Sequence, residues 1–122
     1  MNAGPRILVV DDSSEARTVL AIALRTIAEA AVDVASSAEE ALEKLPVDVL
    51  VTDVRMGGMS GIELLALLRQ TGRWPSRGAV VISGETDPDL RRSALEHGAA
   101  FFSKPFSAGE VRKCVLSLLR SS

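Results

Sequence analysis

Five polar side chains stand where a run of Val, Ile, Leu or Phe breaks off. Asp11 and Asp12 follow Ile7 to Val10, Asp53 follows Val49 to Thr52, Ser83 follows Ala79 to Ile82, and Lys104 follows Phe101 to Ser103. Each has an ordinary reading on its own: an aspartate ends a strand or caps a helix, Ser83-Gly84 makes a turn, and Lys104 before Pro105 is a solvated side chain. Gathered in one place they make a chemical unit. Three carboxylates repel, each pair costing on the order of 4 kcal/mol at about 4 Å with an effective dielectric near 20. Something positive must offset that, and Lys104 is one candidate, a divalent cation the other. Oxygen ligands without clustered His or Cys favour a hard ion, and magnesium tolerates one or two carboxylates plus retained waters.

The elements that must position these groups alternate along the chain. Arg6 to Val10, Val47 to Thr52 and Gly78 to Ser83 are apolar runs with no polar residue at every second position, which suits strands covered on both faces of a parallel sheet. Ala31 to Ala35 and Ala100 to Ser103 are weaker strand candidates, the first suited to an edge. Helix starts lie between them. Ser37 with Glu40, Ser60 with Glu63 and Ser107 with Glu110 fit the capping box, Asp12 with Glu15 fits a variant, and Asp87-Pro88 gives an N-cap followed by a first-turn proline. Gly98 supplies a left-handed closing residue. Apolar faces fall at Val19, Leu20, Ala23, Leu24 and Ile27, at Leu64, Leu65 and Leu68, and at Val111, Val115, Leu118 and Leu119. Five strand–helix units with right-handed crossovers make an open, doubly wound α/β sheet, in which ligands bind beyond the carboxyl ends of the strands. Parallel strands put all five polar residues on that edge.

Composition narrows the function. The chain has 122 residues, 47% of them apolar, with 14 Lys plus Arg against 16 Asp plus Glu. That reads as one ordinary domain spanning residues 1–122, with no repeat or linker-like tract. No stretch approaches the roughly 20 apolar residues of a spanning helix, and residues 1–5 carry no targeting pattern, so the expectation is a cytoplasmic protein without membrane contact. A net charge of -2 with one Trp, three Phe and no Tyr lacks the basic field and stacking surface of direct nucleic-acid binding. Cys114 is the only cysteine, and its neighbours Val111, Val115 and Leu118 at helical spacing point to a small buried side chain rather than a reactive thiol.

The ordered set Leu8-Val9-Val10-Asp11-Asp12, Thr52-Asp53-Val54-Arg55-Met56 running on to Gly58-Met59-Ser60-Gly61, Val81-Ile82-Ser83-Gly84, and Lys104-Pro105-Phe106 resembles the response regulator receiver domains of two-component systems over nearly the whole chain. The resemblance implies a flavodoxin-like (βα)5 fold with strand order 2-1-3-4-5. It implies that Asp53 is the phosphoacceptor for a histidine kinase or phosphotransfer protein, and that Asp11, Asp12, Asp53 and the Arg55 backbone carbonyl hold magnesium, with manganese as an alternative. Ser83 matches the hydroxyl that bonds the phosphoryl group and Lys104 the cation that pairs with it. By the same resemblance the chain is a regulatory phosphoacceptor rather than an enzyme acting on a separate substrate. Its fourth helix, fifth strand and fifth helix would meet an output domain or a second copy, with Arg91, Arg92 and Lys113 as candidate contacts.

Several positions depart from the pattern or stand beside it. Phe101 occupies the place of the family's switch aromatic, but the spacing from Gly98 also admits Phe102. Gly57 replaces a common proline, which frees the unfolded chain at a cost of about 0.4 to 1 kcal/mol. Arg55 and Glu85 are expected to flank the pocket and tune the lifetime of the acyl phosphate. His97 is expected to make a helix-end dipole contact, and Trp74 to be a partly buried clamp. Three other functions fit the sequence less well. A magnesium-dependent phosphatase or hydrolase would need an Asp-x-Asp pair after the first strand and an insertion long enough for a substrate cap; neither stands there. A nucleotide or flavin module would need a glycine-rich phosphate loop, and Asp11-Asp12 would repel a bare phosphate. A receiver-like domain acting without phosphorylation would have no use for the complete set Asp11, Asp12, Asp53, Ser83 and Lys104.

Overall fold

Ile7 to Val10 and Val49 to Val51 bury every side chain on both faces of the chain, which only the interior of a parallel sheet allows. A computed structural model describes residues 4–84 and 88–120. Its elements run β1 (Arg6–Val10), α1 (Ser14–Arg25), β2 (Ala31–Ala35), α2 (Ala38–Glu43), β3 (Val49–Asp53), α3 (Gly61–Gln70), β4 (Gly78–Ser83), α4 (Pro88–Glu96), β5 (Ala100–Ser103) and α5 (Ala108–Arg120). The five strands are parallel in the order β2-β1-β3-β4-β5, the order the family resemblance implies. Alternate side chains then serve two cores. Leu8, Val10, Leu50 and Val81 pack with Ala38, Ala41, Leu64, Leu65, Leu68 and Ala94 on the α2–α4 side. Ile7, Val9, Val51, Val80 and Ile82 meet Leu20, Leu24, Val111 and Val115 beneath α1 and α5.

The differences from expectation are local. The third strand begins at Val49, opposite Ile7, and its ladder runs on to Asp53, opposite Ile82, two residues later at its start than Val47. The cap of α1 is Ser13, whose Oγ accepts from Ala16 N–H at 3.3 Å, so Asp12 is left out of the helix. Ser60 and Glu63 form the full capping box. Ser37 and Ser107 accept from Glu40 N–H and Glu110 N–H, but the Glu40 carboxylate turns instead to the N–H and Oγ of Ser36. Gly98 does close α4, at φ 89, while the Asp87 cap lies outside the described residues. On α1 the buried stripe is Leu20, Ala21 and Leu24, continued by Ile27, and Val19 is 49% exposed. A helix on a sheet buries a stripe narrower than its apolar residues, and Val19 sits on its rim. Cys114 is half-buried against the α1–α5 core rather than enclosed, and burial pushes its thiol up from the ordinary value.

The outer strand β2 has part of its free edge engaged by side chains. Its ladder to β1 runs through Ala31 and Ala35, which turns the backbone groups of Val34 to the free edge. Asp33 Oδ1 accepts the Val34 N–H at 2.8 Å, and Lys44 Nζ donates to the Val34 carbonyl at 2.6 Å while pairing with Asp33 and Glu40.

Candidate functional site

The chain reverses its direction of winding between β1 and β3, and the polar strand ends meet there. Asp11 continues the β1 ladder by donating its N–H to Ala35 O at 3.1 Å. Its Oδ1 accepts from Ser13 N–H at 2.9 Å and its carbonyl from Arg17 Nη1 at 2.7 Å. Asp53, at the end of β3, accepts Val54 N–H on Oδ1 at 2.7 Å and Lys104 Nζ on Oδ2 at 2.9 Å. The lysine is carried just past β5 and fixed by its own N–H, which donates to Ser83 O at 2.8 Å. Lys104 Nζ lies 3.9 Å from Asp11 Oδ2.

Carboxylate oxygens of Asp11, Asp12 and Asp53 all lie within 4.8 Å of one another. Asp11 and Asp53 are buried and Asp12 is exposed; the Asp53 side chain keeps 8% of its surface open. Burial first, then the charges of Asp53 and Asp12, raise the Asp11 carboxyl above its ordinary 3.8, against the pull of Ser13 N–H and Lys104. At Lys104 burial works to lower the ammonium, but the hydrogen bond and charge of Asp53, with Asp11 and Asp12 behind it, outweigh burial and raise it above 10.5. Among the described residues, one ammonium held against three carboxylates leaves an acidic excess. An all-oxygen donor set this close, with charge uncompensated, fits a hard divalent cation.

The structure thus brings Asp11, Asp12, Asp53 and Lys104 into one cluster. Ser83 is buried at the end of β4, one step beyond the Ile82 that pairs with Asp53. Arg55 lies exposed in the loop after β3, and Glu85 lies outside the described residues. Phe101 and Phe102 point to opposite cores, Phe101 to the α4 side with the Arg91 guanidinium 5.6 Å from its ring centre. Trp74 is half-buried with the Arg69 guanidinium stacked 3.7 Å from its centroid. His97 lies just past α4, where its carbonyl accepts from Arg69 Nε and Nη2.

Three supporting residues escaped the sequence reading. Arg17 braces the Asp11 carbonyl, and its signal was a cation early in a helix, where the dipole disfavours one. Thr52 Oγ1 donates to Asp53 O at 2.9 Å, with no sequence signal. Gly61 opens α3 so close to β3 that a Cβ would overlap the Asp53 backbone oxygen. A glycine at a first helical position that needs no special φ was the clue.

A family model described as the response regulator receiver domain matches residues 7–116. The chain is 34% identical over 119 residues to the sensor histidine kinase TmoS of Ectopseudomonas mendocina, covering 94% of this chain but 12% of TmoS. It is 33% identical over 114 residues to the two-component response regulator ORR3 of Oryza sativa subsp. indica, covering 89% of this chain and 86% of ORR3. Among solved structures it superposes on the chemotaxis response regulator CheY4 of Vibrio cholerae with a TM-score of 0.80 and 27% identity, covering 93% of this chain and 98% of that one. No helix among the described residues is long and apolar enough to cross a membrane.

Proposed function

The chain belongs to the response regulator receiver domain family, the regulatory modules of two-component signalling, and from that membership we propose that Asp53 is its phosphoacceptor. The observation that carries the reading is the Asp53 carboxylate held between Lys104 and the acidic pair at the ligand-binding edge of the sheet. One Asp53 oxygen attacks the phosphorus of a phosphohistidine on a histidine kinase or phosphotransfer protein. The phosphorus–nitrogen bond breaks, and the imidazole leaves with the electron pair. Lys104 then bonds the incoming phosphoryl oxygens, while Val54 N–H keeps the carboxylate oriented. Asp11, Asp12, Asp53 and the Arg55 carbonyl are the groups that would hold magnesium, or manganese in its place. When bound, the ion supplies charge neutralisation and alignment, which is most of what phosphoryl transfer asks of a protein. Later attack by water releases phosphate.

Phosphorylation adds charge and acceptor oxygens that draw in the Ser83 hydroxyl and Lys104 and so shift the ends of β4 and β5. Taking a domain from mostly off to mostly on needs about 5 kcal/mol of preference, within reach of a few charge-assisted contacts. Phe101 reports the change by packing, since it lacks a hydroxyl. The α4-β5-α5 face then meets an output domain or a second copy. Arg92 and Lys113 there form exposed pairs with Asp89 and Glu110, which a partner can exchange at little cost. Arg55, with Glu85, sets the lifetime of the acyl phosphate: Arg55→Ala is expected to shorten it, and an unchanged lifetime removes that role. Residues 1–122 act as one receiver unit in this reading.

The direct test is incubation with magnesium and acetyl phosphate followed by intact mass. A gain of about 80 Da, one phosphoryl group, is expected for the native chain and not for Asp53→Asn; a gain that survives the substitution places the acceptor elsewhere.

A further inference from the structure

The loop joining β3 to α3 carries Arg55 and returns through three backbone donors. Gly61 N–H goes to Val54 O at 2.8 Å and Ser60 N–H to Glu63 Oε1 at 2.9 Å, both within the β3–α3 unit. Met59 N–H goes to Glu39 Oε2 at 3.3 Å, on α2, twenty residues earlier in the chain. Between Arg55 and this return, Gly57 and Gly58 stand consecutively in left-handed backbone, at φ 63 and 76. Such a pair leaves the loop many alternatives. Nothing lies within 4 Å of a Cβ position at Gly57, whereas at Gly58 the nearest atom is Glu39 Oε2, at 3.3 Å. The carboxylate therefore rests against the glycine tip and also holds the residue that follows it.

We propose that Glu39 is a positioning residue for the metal site: from α2 it selects one arrangement of the loop that carries the Arg55 carbonyl. The inference rests on the reading of that carbonyl and the three aspartates as cation ligands. Glu39 is not part of the 4.8 Å carboxylate group. An exposed hydrogen bond of this kind contributes little to stability, yet partners that orient ligands are felt strongly in metal affinity.

Manganese binding to the 122-residue chain, followed by the loss of the free-ion paramagnetic signal and with no phosphoryl donor present, reads this directly. Because the bond is long and exposed, Glu39→Ala is expected to weaken affinity about fivefold, below the usual range for such partners, with an unchanged melting temperature. Amide exchange at Met59 should quicken in the same variant. Glu39→Gln keeps an oxygen acceptor without the charge and should bind within about twofold of the native chain, because the hydrogen bond is what matters. Native affinity in Glu39→Ala overturns the proposal. Equal weakening in Glu39→Gln also overturns it, since that is the signature of charge acting at a distance. A native chain that does not bind manganese, or binding that Asp11→Asn and Asp53→Asn leave intact, removes the metal reading itself and the role of Glu39 with it; these controls tell the two failures apart.

Discussion

Two aspartates bracket β3, and they have opposite surroundings. Asp48, at its entrance, accepts Arg6 N–H on Oδ2 and Ser76 Oγ on Oδ1, both at 2.8 Å, while its backbone bonds Arg6 O and Arg77 N–H. Asp53, at its exit, shares one ammonium with two other carboxylates. The first is a stitch between β1, β3 and the approach to β4, satisfied by neutral donors. At the second, charge is left over for a ligand. The same side chain at the two ends of one strand is thus satisfied where neutral donors converge and, in the proposed reading, left reactive where acids do.

The largest effect expected of breaking this contrast is all or none. Asp53→Asn abolishes acetyl phosphate labelling, whereas Asp48→Asn labels like the native chain; loss of labelling in both by intact mass would erase the distinction. Next comes the backbone. Gly61→Ala must push α3 away from the Asp53 carbonyl, and overpacking of this kind costs roughly 1–3 kcal/mol, read as a lower urea midpoint. Asp48→Ala should lose about 1–2 kcal/mol in the same assay, because Arg6 N–H and Ser76 Oγ lose their acceptor.

The smallest effect has the opposite sign. In metal-free buffer near neutral pH, Asp11→Asn is expected to stabilise the fold by up to about 1 kcal/mol by relieving repulsion. Burial and the neighbouring acids hold the Asp11 carboxyl above 3.8, so the fold prefers it protonated. That preference supports the fold fully below the ordinary value and is lost as pH rises through the folded value. The advantage of asparagine therefore shrinks as the solution is acidified, and thermal melts across the acid range check it.

Apolar runs made the strands and their burial legible, and the polar residue after each run marked Asp11, Asp53, Ser83 and Lys104. The rest depended on approach between distant segments. That Ser13 rather than Asp12 caps α1 is a one-residue choice between two good caps, and it leaves the Asp12 carboxylate beside Asp53. Arg17, Gly61 and Glu39 act on backbone atoms brought near by the fold, and backbone partners leave no pattern in spacing. The rim position of Val19 was equally invisible, because periodicity gives the direction of a helix face but not its width.

The outer margin at β2 has a bearing on assembly. With the Val34 donor taken by Asp33 and its acceptor by Lys44, a neighbouring molecule arriving side-on finds a salt-bridged hem where it would need an open zip. At that position the edge offers no open donor or acceptor, and pairing of another strand there would first have to displace both contacts.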